Sequence, residues 1–131
     1  MTFLRRVLKV DGAFWALLGV AWALVPGRLL RLLDQPPMPD GVWLRIAGVM
    51  AVVLAMLMVL VSEHLKDTWW WAWAFALLGA GTATVSVLNA LVGLPEGAAA
   101  WPWWAFGVAN IAFAAAALWG LARSGRENPF V

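Results

Sequence analysis

Residues 69–91, WWWAWAFALLGAGTATVSVLNAL, contain no charged side chain. As a helix, a run of about 23 residues extends roughly 34 Å, enough to cross a bilayer core of roughly 30 Å. In lipid every backbone polar group must be satisfied internally, so such a stretch spans as a helix. The run opens with Trp69, Trp70, Trp71 and Trp73, rings that favour the headgroup boundary. Ala72, Ala76, Ala80 and Thr84 recur at steps of four, a small-residue stripe that lets another helix approach closely. Thr82, Ser86 and Asn89 lie on the nearly opposite face and need hydrogen-bond partners in lipid. The segment therefore reads as a transmembrane helix with neighbours on two sides.

The rest of the chain agrees. Of its 131 residues, 64% are hydrophobic and 12% are charged, against about 25% charged in an ordinary soluble domain. A water-soluble fold of this size has too little interior to hide so much apolar surface. One domain covering residues 1–131 is expected. The net charge of +2 is small, and the basic residues fall at helix ends, which leaves no nucleic-acid footprint. Cysteine is absent, so disulfides, thiolate chemistry and cysteine-held metals or clusters are excluded.

Four spans are expected, at about residues 10–26, 43–61, 69–91 and 103–121. The basic start, short apolar core and Ala21-Trp22-Ala23 share features with a cleavable leader. Val7, Leu8 and Val10 lengthen the apolar surface, however, so a retained span is expected, with Lys9 and Asp11 near the headgroups. Pro26-Gly27 breaks the first helix. Residues 27–33, with Arg28 and Arg31 among leucines, read as an interfacial amphipathic segment or as a ragged outer extension of the first helix. Residues 34–40, DQPPMPD, form a proline-rich loop. The second span carries Ala47, Ala51 and Ala55, and the fourth carries Ala112, Ala116 and Gly120, each a stripe at steps of four. The turn at 62–68 is short, so the second and third spans are antiparallel neighbours.

Lysine and arginine counts orient the chain. With the N-terminus inside, Arg5, Arg6, Lys9, Lys66, Arg123 and Arg126 are cytoplasmic, and Arg28, Arg31 and Arg45 are outside. The expected fold is an all-α, integral membrane, antiparallel four-helix bundle with both termini cytoplasmic, in the inner (plasma) membrane.

Polar residues within spans are costly and mark candidate sites. Arg45, Ser86, Asn89 and Asn110 all fall toward the outer leaflet. Turned inward, they would form a small polar pocket with one positive charge, suited to an anionic headgroup, a quinone carbonyl or a small anion. The plainer reading has Arg45 snorkelling to phosphates and the asparagines bonding across helices. His64 is the sole histidine. It cannot supply bis-histidine haem ligation within this chain, but would serve as one axial ligand to a pigment or haem shared with a partner. With Glu63 and Asp67 it makes a poor zinc set, so no metal is expected. No nucleophile–base pair, phosphate loop or dinucleotide fingerprint is present, so no enzymatic chemistry is expected of this chain alone.

The layout resembles the DoxX-like group of small four-helix membrane proteins. The likeness rests on the basic N-terminus, a first helix bearing Gly12 and Gly19, Pro26 running into LLRLL, Arg45-x-x-Gly48, and Asn110 in the last helix. It implies a membrane component associated with quinone-linked oxidoreductases, with Arg45 and Asn110 as the positions carried over. The tryptophan content and the lack of cysteine depart from that group. The expected role is an accessory or structural subunit packing in a larger respiratory or photosynthetic complex, or self-assembling. A DoxX-like quinone- or lipid-binding component of an oxidoreductase, and a small dimeric transporter, are the alternatives. No intrinsic cofactor is expected; bound lipid, quinone or a shared pigment would come with membrane partners.

Overall fold

The structure is a computed structural model that describes residues 1–127. Among them all regular structure is helical. Four stretches are long and apolar enough to cross a membrane: Thr2–Leu24, Val42–Glu63, Leu65–Gly93 and Trp101–Glu127.

Helix α1 (Thr2–Leu24) begins at Thr2. Leu4, Val7 and Leu8 bury a continuous apolar face there, and Arg5 is accommodated because its Nε donates to the Ser62 carbonyl, 3.0 Å away. The helix stops where Val25 leaves helical geometry ahead of Pro26. Helix α2 (Pro26–Leu32) starts with proline at its first position, where no N–H is required. It closes in a Schellman motif. Asp34 adopts φ 51°, its N–H donates to Arg31 O (3.2 Å), and the Gln35 N–H donates to Leu30 O (2.8 Å).

Helix α3 (Val42–Glu63) is primed by Asp40, whose Oδ1 accepts the Val42 N–H at 3.0 Å. His64 ends it, and a short turn α4 (Leu65–Thr68) follows. The 62–68 segment is less polar in space than in sequence, because Ser62 and Leu65 are fully buried. Trp69–Trp71 forms one 3₁₀ turn, and α5 (Ala72–Leu88) runs unbroken through Gly79-Ala80-Gly81. Its end widens into a π turn over Asn89–Gly93. Helix α6 (Trp101–Glu127) completes the described chain.

Lipid tails are as apolar as leucine, so close packing has to supply the contact energy between spans. Glycines make that approach possible. Helices α1 and α3 pack antiparallel, with Gly12 against Ala55 and Gly19 against Gly48. A Cβ on Gly19 would stand 2.6 Å from the Gly48 carbonyl oxygen, and one on Gly48 would stand 2.5 Å from that of Gly19. Helices α5 and α6 form a second antiparallel pair, Gly79 lying on Asn110 and Ala114, and Gly107 on Ser86 and Val87. The pairs join through α1 and α6, where Gly120 is covered by Leu4. Phe14 stacks on Phe106 at 6.0 Å and meets Phe113 at 5.4 Å along the same seam. The main core gathers Leu4, Leu8, Met58, Leu65, Phe75 and Leu121 from all of these helices.

One end of the molecule is tied by ion pairs. The Met1 ammonium meets Glu127 at 2.9 Å, and Lys9 pairs with Glu63. The other end is tied by Gln35. Its Nε2 donates to Leu33 O and Ala99 O (3.0 and 2.9 Å), and its Oε1 accepts the Trp103 indole N–H at 3.1 Å.

The small-residue stripes read at steps of four are only partly used inside the chain. Ala72 and Ala76 are buried, but Ala80 and Thr84 are on the surface, and the contact face continues through Gly79, Ala83 and Ser86. Ala51 and Ala55 are buried while Ala47 is half-buried. On α6, Ala112 is exposed, Ala116 is half-buried and Gly120 is buried against Leu4, so this stripe does not lie free for a partner along its length.

Candidate functional site

Arg45 sits near the start of α3 and is exposed; its Nη1 donates to the Ala23 carbonyl of α1 at 3.2 Å. It therefore belongs to the α1–α3 pair. Ser86 is buried at the α5–α6 contact, with its hydroxyl donating to Thr82 O at 2.8 Å. Asn89 lies in the π turn and folds back on its own helix end, where Oδ1 packs over Gly93. Asn110 is fully buried on α6, and its Nδ2 donates to Phe106 O at 2.9 Å.

The fold thus brings Ser86 and Asn110 to one helix contact and leaves Arg45 and Asn89 outside it. A groove of about 420 Å³ opens beside that contact, lined by Leu77, Leu78, Gly81, Thr82, Val85, Ser86, Trp103 and Phe106. Of the four polar residues singled out above, it takes only Ser86. Its walls are mostly aliphatic and aromatic, with Thr82 and Ser86 as the hydroxyl-bearing residues among its lining; the Ser86 hydroxyl is itself spent on Thr82 O.

A second hollow of about 330 Å³ lies under α2, between Pro26, Leu30, Arg31, Gln35 and Met38. Arg31 turns its Nε to the Gly27 carbonyl, 3.4 Å away, on its own helix.

His64 is exposed at the end of α3, and its Nδ1 lies 3.0 Å from the Leu60 carbonyl. A carbonyl only accepts, so Nδ1 is the donor in this contact. Among the described residues no three His, Cys, Asp or Glu side chains gather as a metal site.

Two residues with structural weight were not among the sequence candidates. Gln35 reads as part of a proline-rich loop, and its reach to Ala99 and Trp103 depends on the turn at Asp34. Asp11 was placed at the headgroups, but it is only 4% exposed. The reason is packing: Asp11 shares the buried face of α1 with Leu4, Leu8 and Trp15. The spacing Leu4, Leu8, Asp11, Trp15 was the available signal, since these positions share one helix face.

No protein-family model, no curated protein and no solved structure matches this chain.

Proposed function

We propose that the protein is a four-span component of the inner membrane, a bundle with both termini cytoplasmic, that holds the apolar chain of an amphiphile of the lipid or quinone class. The observation that carries this reading is the α5–α6 groove, walled mostly by aliphatic and aromatic side chains with Thr82 and Ser86 among its lining. Binding cavities for such molecules are largely hydrophobic with a few placed polar groups. The reading agrees with the role that the resemblance to DoxX-like proteins implies, but moves the site from Arg45 and Asn110 to the groove beside Ser86.

Gly81 provides the test. A Cβ built there meets nothing within 4 Å, and Gly81 lines the groove, so a larger side chain should take up groove space. Purified Gly81→Leu should elute and melt like the wild type, yet carry at least several-fold less of the amphiphile found by mass spectrometry of an organic extract. Equal amounts in both proteins would mean that only annular lipid was recovered, and the groove reading would fall.

An accessory-subunit role is the second reading, favoured by a different observation. Ala80, Gly81 and Thr84 are exposed together on α5. A partner helix could approach this small-residue face closely. On this reading Ala80→Leu displaces a larger complex on a native gel, whereas Ala116→Leu, on a face partly consumed inside the chain, does so less.

A further inference from the structure

Asp11 and Asn110 are both buried in the middle of the helix assembly, 4% and 0% exposed. Asp11 lies nine residues into α1, about 14 Å from its start by helical rise. The helix register brings the two side chains to neighbouring levels. Leu4 covers Gly120, and Val7 packs with Ala117 and with Ala76 of α5. Continued along antiparallel helices, this pairing sets Asp11 against Phe113 and Ala114, one turn from Asn110. The contacts of Phe14 with Phe106 and Phe113, on either side of Asn110, fix the same register.

At this level two acceptors lack a donor. Asn110 spends Nδ2 on Phe106 O, which orients its amide and leaves Oδ1 buried with no partner. Asp11 Oδ1 is likewise buried with no partner, and Trp15 lies one turn on along the same buried face of α1. An amide oxygen and a carboxylate oxygen only accept. Leaving both unpaired in lipid-enclosed protein is costly, and one hydrogen on the carboxyl supplies the missing donor.

No cation stands in for it. On α3, Arg45 is at the far end on Ala23 O, and Glu63 is at the near end on Lys9. On α5, Ala72–Leu88 contains no charged side chain. On α6, Arg123, Arg126 and Glu127 are in the last turns. On α1 itself, Arg5 is held by Ser62 O, Lys9 is held by Glu63, and Arg6 is exposed. Ser124 Oγ, the other buried side-chain polar atom without a partner among the described residues, lies on the Glu127 side of Gly120, too far along α6 to serve.

We infer that Asp11 and Asn110 form an internal proton-binding site, with the Asp11 carboxyl as donor and Asn110 Oδ1 as acceptor. The site is separate from the α5–α6 groove and does not depend on it. It places an exchangeable proton within the span of a membrane protein, where ionisable groups are rare and functional.

Infrared spectroscopy of the full chain in phosphatidylethanolamine–phosphatidylglycerol vesicles tests this at neutral pH. Every other Asp and Glu side chain is exposed, so the wild-type minus Asp11→Asn difference isolates this carboxyl. A carboxylic-acid C=O band should be present in the wild type and absent from Asp11→Asn, which should fold and elute normally because a neutral amide replaces a neutral acid. In Asn110→Leu the band should move to higher frequency as its hydrogen bond is lost; if that variant does not fold, Asn110→Ala gives the same reading. A wild type with no acid band would overturn the inference. So would a sodium-dependent rise in melting temperature that Asp11→Asn abolishes, since it would make the bound species a metal cation. A band unmoved by loss of the Asn110 amide would remove Asn110 from the site.

Discussion

Gly19 and Gly48 face each other across α1 and α3 with backbone against backbone, and neither position has room for a methyl group. The obstructing atoms are carbonyl oxygens at 2.6 and 2.5 Å, and at Gly48 also the Ala23 amide nitrogen at 2.6 Å. A side chain can rotate away, but a backbone atom moves only with its helix. Gly48→Ala should therefore push the two helices apart and cost about 1–3 kcal/mol, the usual range for overpacking. Gly81→Ala makes the matching control, because its Cβ enters open space and removing a helix-interior glycine contributes up to about 1 kcal/mol. Thermal unfolding in detergent, followed by circular dichroism, compares the two. Equal melting temperatures for Gly48→Ala and the wild type would show that the helices do not meet at this point. Arg45-x-x-Gly48 is thus informative mainly through its glycine: Gly48 is the point where two spans touch, while Arg45 only caps the nearby Ala23 carbonyl.

Helix α5 shows which part of an element a membrane sequence reveals and which part it hides. Length, lack of charge and the tryptophan start mark the span. Its rotation is harder to read, because lipid on the outside and protein on the inside are both apolar, and hydrophobic periodicity loses the contrast it has in water. What remains is residue size. A strict step of four overshoots each turn by about 40°, so a stripe at 72, 76, 80 and 84 winds away from a partner. The observed face through Ala72, Ala76, Gly79, Ala83 and Ser86 alternates four and three, which holds one face toward an antiparallel neighbour. Helix α6 keeps the same alternation through Gly107, Asn110, Ala114, Ala117, Leu121 and Ser124. The polar candidates followed the same logic: the sequence treated Arg45, Ser86, Asn89 and Asn110 alike, and the structure buries Ser86 and Asn110 while Asn89 lies in a π turn that has no strong sequence mark. Two leucine substitutions separate the readings. Ala83→Leu, at a position 2% exposed, should destabilise the protein by about 1–3 kcal/mol through overpacking. Ala80→Leu should leave the melting temperature of the isolated protein unchanged. The reverse order in a detergent unfolding series would restore the step-of-four face.

At the scale of the whole molecule, two antiparallel helix pairs are joined along α1 and α6, and each end is closed by its own chemistry. Charge pairs close the end that holds both described termini, through Met1 with Glu127 and Lys9 with Glu63. Neutral hydrogen bonds from Gln35 close the other. The Met1–Glu127 contact requires the N-terminus and the end of α6 to lie on one side, a relation the sequence could suggest only through an even number of spans. Which side is cytoplasmic depends on charge retention. The end holding the termini carries Arg5, Arg6, Lys9, Lys66, Arg123 and Arg126, and the other carries Arg28, Arg31 and Arg45. Basic residues resist translocation, so the first end should stay inside. The absence of cysteine makes this directly measurable with single cysteines in an unaltered background. Lys66 and Glu96 are both exposed, one in the α4 turn and one in the loop before α6. In right-side-out membrane vesicles, a membrane-impermeant maleimide should label Glu96→Cys at once and reach Lys66→Cys only after the vesicles are opened. Labelling at Lys66→Cys with Glu96→Cys protected would invert the molecule. The Lys9–Glu63 end would then face outward.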